Sequence, residues 1–302
     1  MASGNREGAC GELVVAGWED YELLDFGHGE KLERFGPVVV RRPCPAAKCE
    51  PAEPEAWSAA QAVFSRSEGR WQQQGPPLPR PWLVRWGPLV VELGLRDSGQ
   101  LGLFPEQAAN WHWLLEHGHL LAAPAAGGED RGLLNLFAYT GASTLAAAAA
   151  GGAVAHVDSA RSVVTQARRN AELSHLADRP IRWLVEDAVR FAQRELRRGR
   201  RYRAVVLDPP SYGHGTGHRR WQIERDLPGL LKLLAPLTGE TRRLVLLTWH
   251  TRRLLPKRVQ QMAEQSGLVP PGARWQGGSL YLESRCGRRL WSGYVLRAAA
   301  SA

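Results

Sequence analysis

Residues 205–215, VVLDPPSYGHG, bring an aspartate to the end of an apolar run and follow it with two prolines. Adjacent prolines do not fit a helix interior or a central strand, because proline has a fixed φ and no N–H donor. We therefore expect Asp208 at the tip of a buried strand, where Pro209 and Pro210 leave only acceptor groups facing an incoming ligand. Tyr212 adds an aromatic ring that can stack on a planar ligand. The stretch predicts a carboxylate held beside a bound aromatic group.

Acidic side chains also end the two preceding apolar runs, Asp158 after one and the pair Glu186 and Asp187 after the other. Ligands of open parallel sheets bind at the carboxyl ends of the strands, so we expect these acids to meet Asp208 at one edge. A carboxylate in the place of Asp158 can accept hydrogen bonds from ribose hydroxyls. Asp187 has an equally simple explanation as a helix N-cap. The turn at Gly141 lacks the features of a phosphate-binding loop. Together these residues predict a nucleoside-sized pocket without a phosphate site.

The elements that must position these residues alternate between strands and helices. Apolar runs predict buried strands at 132–138, 153–157, 181–185, 202–207 and 244–249, and helical patterns follow them at 142–150, 161–173, 188–198, 222–234 and 257–266. Repeated βα units with near-continuous apolar strands predict a mostly parallel sheet covered by helices on both faces. Two further runs, 279–283 and 290–296, predict an antiparallel hairpin at the edge, which gives seven strands in all.

A smaller β-rich region precedes this α/β pattern, and we divide the chain into residues 1–100 and 101–302. The first part predicts strands within 12–45 with a hairpin turn at Gly27 to Gly29, a short helix at 57–65 and more strand at 82–95. An amphipathic helix is expected over 106–121. Four tryptophans lie in these segments, and packing between the two regions explains them better than base stacking does: Trp82, Trp86, Trp111 and Trp113.

The composition, with 44% hydrophobic and 23% charged residues, is typical of a globular protein. The first residues lack a basic segment followed by an apolar stretch, and the apolar run 145–157 is too short to span a bilayer. We therefore expect no signal peptide, no membrane partner and a cytoplasmic location.

The cysteines give no disulfide framework. Neither Cys44 with Cys49 nor His214 with His218 has the further ligands that a metal site needs, so no metal is expected.

The positive charge is concentrated in the second part of the chain. The net charge is +9, yet residues 1–120 carry 11 basic and 16 acidic side chains. A dense group of arginines, opposed by Glu195, is either a solvated helix face or a surface that contacts RNA phosphates: Arg190, Arg194, Arg197, Arg198, Arg200, Arg201 and Arg203. Six more arginines extend it, and the first two end a glycine-rich loop at 211–220 that we expect to act as a lid: Arg219, Arg220, Arg242, Arg243, Arg252 and Arg253.

Four segments resemble the successive motifs of class I S-adenosylmethionine-dependent methyltransferases: LLNLFAYTGAST (133–144), HVDSA (156–160), VEDA (185–188) and LDPPSYG (207–213). More narrowly, LNLFAYTG with DPPSY resembles the bacterial large-subunit ribosomal RNA methyltransferases whose fourth motif reads DPP, any residue, then an aromatic. GLFPEQAANW (102–111) is similar to the GLFLDQR-type segment of that group. The resemblance covers about residues 100–297 and implies a Rossmann-like, doubly wound fold.

The resemblance also implies roles for individual residues. The cofactor would be S-adenosylmethionine, with its ribose on Asp158 and its adenine amine on Asp187, and with Asp208 between cofactor and substrate. Gln107 would close over the cofactor, although no arginine follows it as in the family pattern. The methionine part would be lined by three residues of the first motif: Asn135, Tyr139 and Gly141.

Methyl transfer mainly requires alignment of the nucleophile with the methyl group and sulfur, because the sulfonium is already activated. Methylating carbon 5 of a pyrimidine requires a cysteine nucleophile. The resemblance implies that enzymes of this group that methylate carbon carry their cysteines after the fourth or fifth strand. Here those segments contain none, and Cys286 is distant in sequence. We therefore expect a nucleobase nitrogen of structured, ribosomal RNA as the target, with Asp208 and Tyr212 at the reacting centre and His250 as either a substrate contact or a packing residue. The alternatives are a methyltransferase for a protein or small molecule, and an RNA-binding assembly factor with a vestigial cofactor site.

Overall fold

A computed structural model of the chain describes residues 10–121, 130–214, 220–238, 243–269 and 272–300. In chain order the strands are β1 (Cys10–Val15), β2 (Tyr21–Gly27), β3 (Glu30–Phe35), β4 (Val38–Pro43), β5 (Ala62–Ser65), β6 (Arg70–Gln73), β7 (Trp82–Trp86), β8 (Leu89–Leu93), β9 (Asp130–Leu136), β10 (Val154–Asp158), β11 (Ile181–Val185), β12 (Arg201–Leu207), β13 (Tyr212–His214), β14 (Arg220–Gln222), β15 (Leu244–Trp249), β16 (Arg274–Glu283) and β17 (Arg289–Ala299). The α-helices are α1 (Ala108–Glu116), α2 (Gly118–Leu121), α3 (Ala142–Ala149), α4 (Arg161–Leu173), α5 (Ala188–Arg197), α6 (Ile223–Thr238) and α7 (Pro256–Ser266). None of the described helices is both long and apolar enough to cross a lipid bilayer.

The largest sheet has the spatial strand order β1-β16-β17-β15-β12-β9-β10-β11. Strands β15, β12, β9, β10 and β11 run parallel, and β17 is antiparallel to both of its neighbours. Successive side chains of β9 point to opposite faces of the sheet. Leu133 belongs to the same hydrophobic cluster as Leu145 of α3, whereas Leu134 belongs to the cluster that contains Phe191 of α5. The predicted Rossmann-like, doubly wound, mostly parallel fold with an edge hairpin is confirmed.

The sheet has eight strands rather than the seven expected, because β1 from the N-terminal region joins its edge. β1 pairs in parallel with β16, and Gly11 lies opposite Gly278. A Cβ on Gly278 would overlap the carbonyl of Gly11, so this close approach requires glycine. Pairing between segments so far apart in the chain has no local sequence signal. The division of the chain at residue 100 remains a prediction.

The N-terminal region contains a five-stranded sheet, β2-β3-β4-β5-β6, and a separate β7–β8 hairpin. Two side chains at the C-terminal end of α4 anchor this hairpin: Ser174, directly after the helix, accepts a 2.9 Å hydrogen bond from the backbone N–H of Val90, and Asn170 accepts one of 3.0 Å from that of Glu92. Asn170 also donates to the carbonyl oxygen of Thr140 at 2.9 Å. Strand β8 is thereby fixed against the loop after β9.

Two helices predicted before the first unit of the α/β pattern differ from the structure. The helix predicted at 57–65 is wrong: a 3-10 turn covers Pro54–Ala59, and β5 follows it, since Ala62 and Phe64 alternate into the core. The helix expected over 106–121 begins with a 3-10 turn at Pro105–Gln107 and is divided into α1 and α2. The hairpin turn predicted at Gly27 to Gly29 is confirmed by the pairing of β2 with β3.

A buried ionic cluster holds the five-stranded sheet together. The carboxylate of Glu33 is fully buried and contacts Arg42 at 2.6 Å, Lys31 at 2.9 Å and the hydroxyl of Tyr21 at 3.0 Å. Burial acts to raise the pKa of Glu33, but the charges and hydrogen bonds of Arg42 and Lys31 outweigh it and hold this pKa at about 2. Glu33 is therefore ionised in the folded protein at neutral pH.

Replacing Glu33 with glutamine is expected to lower the free energy of unfolding at pH 7 by about 3 kcal/mol, because Arg42 would remain buried without its counter-charge. Since the folded pKa of Glu33, about 2, lies below its ordinary value of 4.5, its stabilising contribution is present above pH 4.5 and is lost as the pH falls toward 2. Denaturant unfolding of both proteins across that range measures this. Glu55, which is exposed, provides the matched control E55Q, and equal stability of E33Q and wild type at pH 7 would contradict the expectation.

Candidate active site

A cavity of about 1120 Å³ lies at the edge where the parallel strands end. Acidic residues following β10, β11 and β12 line it together: Asp158, Glu186, Asp187 and Asp208. A second pocket of about 40 Å³ adjoins it and is lined by Gln107, Asn135 and Gly141. Both share four lining residues: Phe104, Phe137, Tyr139 and Asp208. The sequence-predicted residues are therefore brought to one place, with Tyr212 the exception.

The loop between β9 and α3 has an unusual backbone. Phe137 and Tyr139 adopt φ values of 58° and 50°, and Gly141 adopts 91°. Left-handed backbone is uncommon for residues other than glycine, and such strain concentrates at ligand-binding loops. The hydroxyl of Tyr139 is buried, has no hydrogen-bond partner among the described residues, and has a pKa raised by burial. This loop thus presents an unsatisfied donor close to the two cavities.

Asp158 is oriented by the same loop. Its carboxylate accepts hydrogen bonds from the backbone N–H groups of Tyr139 at 2.9 Å and Ala160 at 3.0 Å. A carboxylate has about four acceptor positions, so two remain for a ligand, which matches the two hydroxyls of a ribose. Asp187 accepts a 2.9 Å hydrogen bond from the N–H of Arg190 and is the N-cap of α5. The helix-capping explanation for Asp187 is confirmed, and its carboxylate also lines the large cavity.

Asn135 and Gln107 are held by hydrogen bonds within the protein. The Asn135 amide donates to Thr144 at 2.9 Å, and the Thr144 hydroxyl lies 2.9 Å from Nδ1 of His156. Burial lowers the pKa of His156 to about 3, so this imidazole is neutral. Gln107 donates to Thr248 at 3.2 Å. Both predicted residues face the smaller pocket in fixed orientations.

Asp208 lies where the two pockets meet. Its Oδ1 accepts a 2.7 Å hydrogen bond from Thr248 and lies 3.9 Å from Nε2 of His250. Nδ1 of His250 donates to the carbonyl oxygen of Ser292 at 2.7 Å, which turns Nε2 toward the cavity. Burial raises the pKa of Asp208, and the negative charge of Glu106 raises it further, while His250 and the Thr248 hydrogen bond act in the opposite direction. The Asp208 side chain remains 31% exposed, toward the cavity.

Glu106 is a candidate functional residue that the sequence reasoning missed. It is only 6% exposed and lines the large cavity. Across the described parts of the chain, no hydrogen bond or ion pair reaches its carboxylate, so this group is available to a ligand in the cavity. The resemblance directed attention to the neighbouring Gln107. The signal that could have identified Glu106 is its position, because it is an acidic residue directly before Gln107 in the segment GLFPEQAANW.

Tyr212 does not line either pocket. It lies on the hairpin of β13 and β14 and is 74% exposed, whereas its neighbours Pro210 and Gly213 line the large cavity. Half of the predicted lid, residues 215–219 with His218 and Arg219, lies outside the described residues. Tyr212 is therefore placed at the rim of the cavity rather than at the reacting centre.

Most of the arginine group is at the opposite edge of the sheet from the cavity, although Arg194 pairs with Glu186, which lines the cavity. β12 begins at Arg201, about 20 Å along the strand from Asp208. Helix α5 runs back toward that edge, and Glu195 in it is buried, accepting a 2.7 Å hydrogen bond from the hydroxyl of Tyr202. Glu195 also pairs with Arg198 at 3.5 Å. Of the extended set, Arg219 and Arg242 lie outside the described residues. Most of the group therefore cannot contact a molecule bound in the cavity.

The tryptophans pack as predicted. Trp82, Trp111 and Trp113 are buried, and the rings of Trp86 and Trp111 contact each other edge to face with centroids 5.2 Å apart.

Within the described residues no group of three or more His, Cys, Asp or Glu side chains is arranged to hold a metal ion.

A sequence model of S-adenosylmethionine-dependent methyltransferases matches residues 56–243. The structure is similar to that of the SAM-dependent methyltransferase from Agrobacterium tumefaciens, with a TM-score of 0.86, 30% identity, and coverage of 96% of this chain and 94% of that one. SMU.776, solved with SAH, has a TM-score of 0.72 at 17% identity over 94% of this chain and 76% of its own, a likeness of fold alone.

Curated relatives match over shorter segments. Ribosomal RNA large subunit methyltransferase K of Neisseria meningitidis is 34% identical over 108 residues, which is 34% of this chain and 30% of that protein. Ribosomal RNA large subunit methyltransferase K/L of Methylococcus capsulatus is 36% identical over 112 residues, which is 36% of this chain and 15% of that protein. The chain therefore spans less than a third of the length of these relatives.

Proposed function

Because this chain belongs to the S-adenosylmethionine-dependent methyltransferase family, we propose that it transfers a methyl group from S-adenosylmethionine to a nucleobase nitrogen of structured RNA. We further propose that this RNA is ribosomal and that the reaction occurs in the cytoplasm. One observation carries the proposal: Asp208 lines both the smaller pocket and the large cavity, and the large cavity combines acids suited to a nucleoside with room for a second planar group. The names of the curated relatives support RNA as the substrate class.

The residues present fit the cofactor. In our proposal Asp158 accepts the ribose hydroxyls with the acceptor positions that the backbone leaves open, and Asp187 receives the adenine amine. Asn135, Tyr139 and Gly141 line the methionine part, and the buried, unpartnered hydroxyl of Tyr139 supports a polar ligand there. Gln107, held by Thr248, closes the smaller pocket.

S-adenosylmethionine supplies a methyl group activated by its sulfonium. The protein then has to place the target nitrogen in line with the methyl group and the sulfur. It also has to keep competing hydrogen-bond donors away from that nitrogen. Thr248 occupies Oδ1 of Asp208, which leaves Oδ2 to accept an N–H of the target amine and direct the nitrogen lone pair at the methyl group. Oδ2 is also placed to take up the proton that the methylated nitrogen releases. Pro209 and Pro210 line the cavity without N–H donors. Tyr212, at the rim, stacks on the base as it enters the cavity.

A second candidate, methylation of a pyrimidine carbon, is favoured by one observation: Cys44, which belongs to the N-terminal region, lines the large cavity. A thiol there is within the same space as a bound base, and carbon methylation would require it as a nucleophile. We expect C44A to retain methyl transfer to RNA within about three-fold, because nitrogen needs no covalent activation. Loss of transfer in C44A with an unchanged melting temperature would favour the carbon target.

The function is tested by comparing modified nucleosides in bulk RNA from cells with and without the gene, using mass spectrometry. We expect one base-methylated nucleoside to disappear without the gene and to return with wild-type protein but not with D158A. Restoration of cell growth or ribosome assembly by D158A without the nucleoside would favour an assembly factor. An unchanged nucleoside profile would favour a protein or small molecule as substrate.

The pH dependence of the reaction is expected to change when Glu106 is replaced by glutamine. Activity requires ionised Asp208, and the charge of Glu106 contributes to raising the pKa of Asp208. E106Q should therefore remain active to lower pH than wild type. Rate measurements across the acidic range with saturating RNA test this, with E53Q, a substitution outside the cavity lining, as the control. The proposed effect of Glu106 on Asp208 would be contradicted if E106Q lost activity at the same pH as wild type, or at a higher pH, on the acidic side of the profile.

A further inference from the structure

The cations that line the large cavity come mainly from the N-terminal region. That region is acidic overall, yet it contributes four basic side chains to the lining of the cavity: Lys31, Arg42, Lys48 and Arg96. Arg252, which follows β15, lines the same cavity. The cavity is thus lined by cations as well as by the acids at the strand ends.

Two of these cations are neutralised within the protein, and three are not. Lys31 and Arg42 both pair with the buried Glu33. For Lys48, Arg96 and Arg252, no carboxylate lies within ion-pair distance anywhere in the described ranges. A basic group that has a partner contributes structure, whereas an unpaired group facing a cavity is available to an anionic ligand.

Arg96 is the most strongly positioned of the three. It lies in a tight turn in which Gly99 donates to its carbonyl oxygen at 2.9 Å, and Nε1 of Trp71 donates to the same oxygen at 2.8 Å. Its guanidinium lies 5.4 Å from the centre of the Tyr139 ring. Nε of Arg96 and the hydroxyl of Tyr139 are both buried without hydrogen-bond partners among the described residues. The ring contact holds the Arg96 guanidinium in place at the cavity, and a guanidinium binds an anion with several acceptor oxygens, such as a phosphate, through two of its N–H groups.

Arg252 and Lys48 approach the cavity from different elements. The guanidinium of Arg252 is stacked 4.3 Å from the ring centre of Trp291, which also lines the cavity. Lys48 is exposed in the loop after β4, and its backbone N–H is held by the carbonyl of Ala46 at 3.1 Å. The three cations therefore come from three separate loops, after β4, β8 and β15, and separate cations at one cavity can each contact a different phosphate of a nucleic acid chain.

We propose that Lys48, Arg96 and Arg252 bind the phosphates that flank the target nucleotide, so that the N-terminal region recognises the polynucleotide chain. This inference rests on RNA being the substrate of the proposed function. It also places the phosphate contacts at the cavity rather than at the arginines on the opposite edge of the sheet.

Binding of a fluorescently labelled single-stranded RNA, measured by anisotropy at several salt concentrations with S-adenosylhomocysteine present, tests this proposal. The triple variant K48Q/R96Q/R252Q should lower the slope of log affinity against log salt by about 2, since each lost phosphate contact on a single strand removes about 0.7. The matched control is R179Q/R197Q/R200Q, which neutralises three exposed arginines at the opposite edge and should retain the wild-type slope. R96K, which keeps the charge, should retain most of the affinity.

The proposal is overturned if the cavity triple keeps the wild-type slope, if the control triple loses it, or if wild type does not bind RNA. It is also overturned if R96Q weakens S-adenosylhomocysteine binding in calorimetry while RNA binding is unchanged, since Arg96 would then serve the carboxylate of the cofactor. The outcome is separable from the proposed function. RNA binding that depends on these cations without methyl transfer would refute the function alone, and transfer to RNA with an unaltered KM in the triple would refute this inference alone.

Discussion

Replacing Asp208 with alanine is expected to lower kcat for methyl transfer to RNA about a thousand-fold, the loss typical of removing a preorganised polar group from a reacting centre. The reason is the position of Asp208 between the two pockets, with Thr248 occupying Oδ1. Without the carboxylate, the target nitrogen loses the acceptor that directs its lone pair. Single-turnover rates with saturating RNA and cofactor measure this effect.

Two further measurements make the D208A result specific. S-adenosylhomocysteine binding by calorimetry should stay within about two-fold of wild type, because Asp208 acts on the acceptor side in our proposal. Asp97 also lines the cavity but is exposed, so D97A is the matched control and should keep a nearly normal kcat. A D208A protein with full kcat, or one whose defect disappears when more cofactor is supplied, would refute the assigned position.

Replacing Asp158 with alanine is expected to weaken S-adenosylhomocysteine binding by at least about 100-fold, because two charge-assisted hydrogen bonds to ribose hydroxyls would be lost. The same carboxylate accepts the backbone N–H of Tyr139, within a loop of strained backbone. The variant should therefore lose the ordered loop as well as two ligand contacts. Isothermal titration calorimetry on the folded variant measures the change.

D97A again provides the control for D158A, since it removes a cavity carboxylate without disturbing the strand ends. D158N is informative as well, because asparagine keeps the size of the side chain but only one acceptor oxygen, and its affinity should fall between wild type and D158A. Binding of RNA should be little changed in either variant. Wild-type affinity for S-adenosylhomocysteine in D158A would show that the ribose lies elsewhere.

The central part of the fold was predictable because its signals are local. Continuous apolar runs define buried parallel strands, and β11 and β15 begin and end where the sequence indicated. The acids after β10, β11 and β12 share a cavity because parallel strands end at one edge, which follows from topology without any side-chain coordinates. Asp158, Asp187 and Asp208 could therefore be placed together from the sequence.

The features that escaped prediction depend on contacts between distant segments. The edge position of β1 is determined by the close approach of Gly11 and Gly278, which no periodicity encodes. Cys44 and Arg96 reach the cavity only because α4 anchors the β7–β8 hairpin and the five-stranded sheet packs beside it. The density of arginines in sequence suggested a binding face, yet strand direction places most of them at the far edge.

The most direct test of the central claim is methyl transfer in vitro to RNA from cells that lack the gene. Purified protein is supplied with S-adenosylmethionine carrying a deuterated methyl group, and the RNA is then digested to nucleosides for mass spectrometry. We predict that wild type labels one nucleoside on a nitrogen of its base and that D208A does not. Label on a ribose, on a base carbon or on protein, or no label in any fraction, would contradict this account.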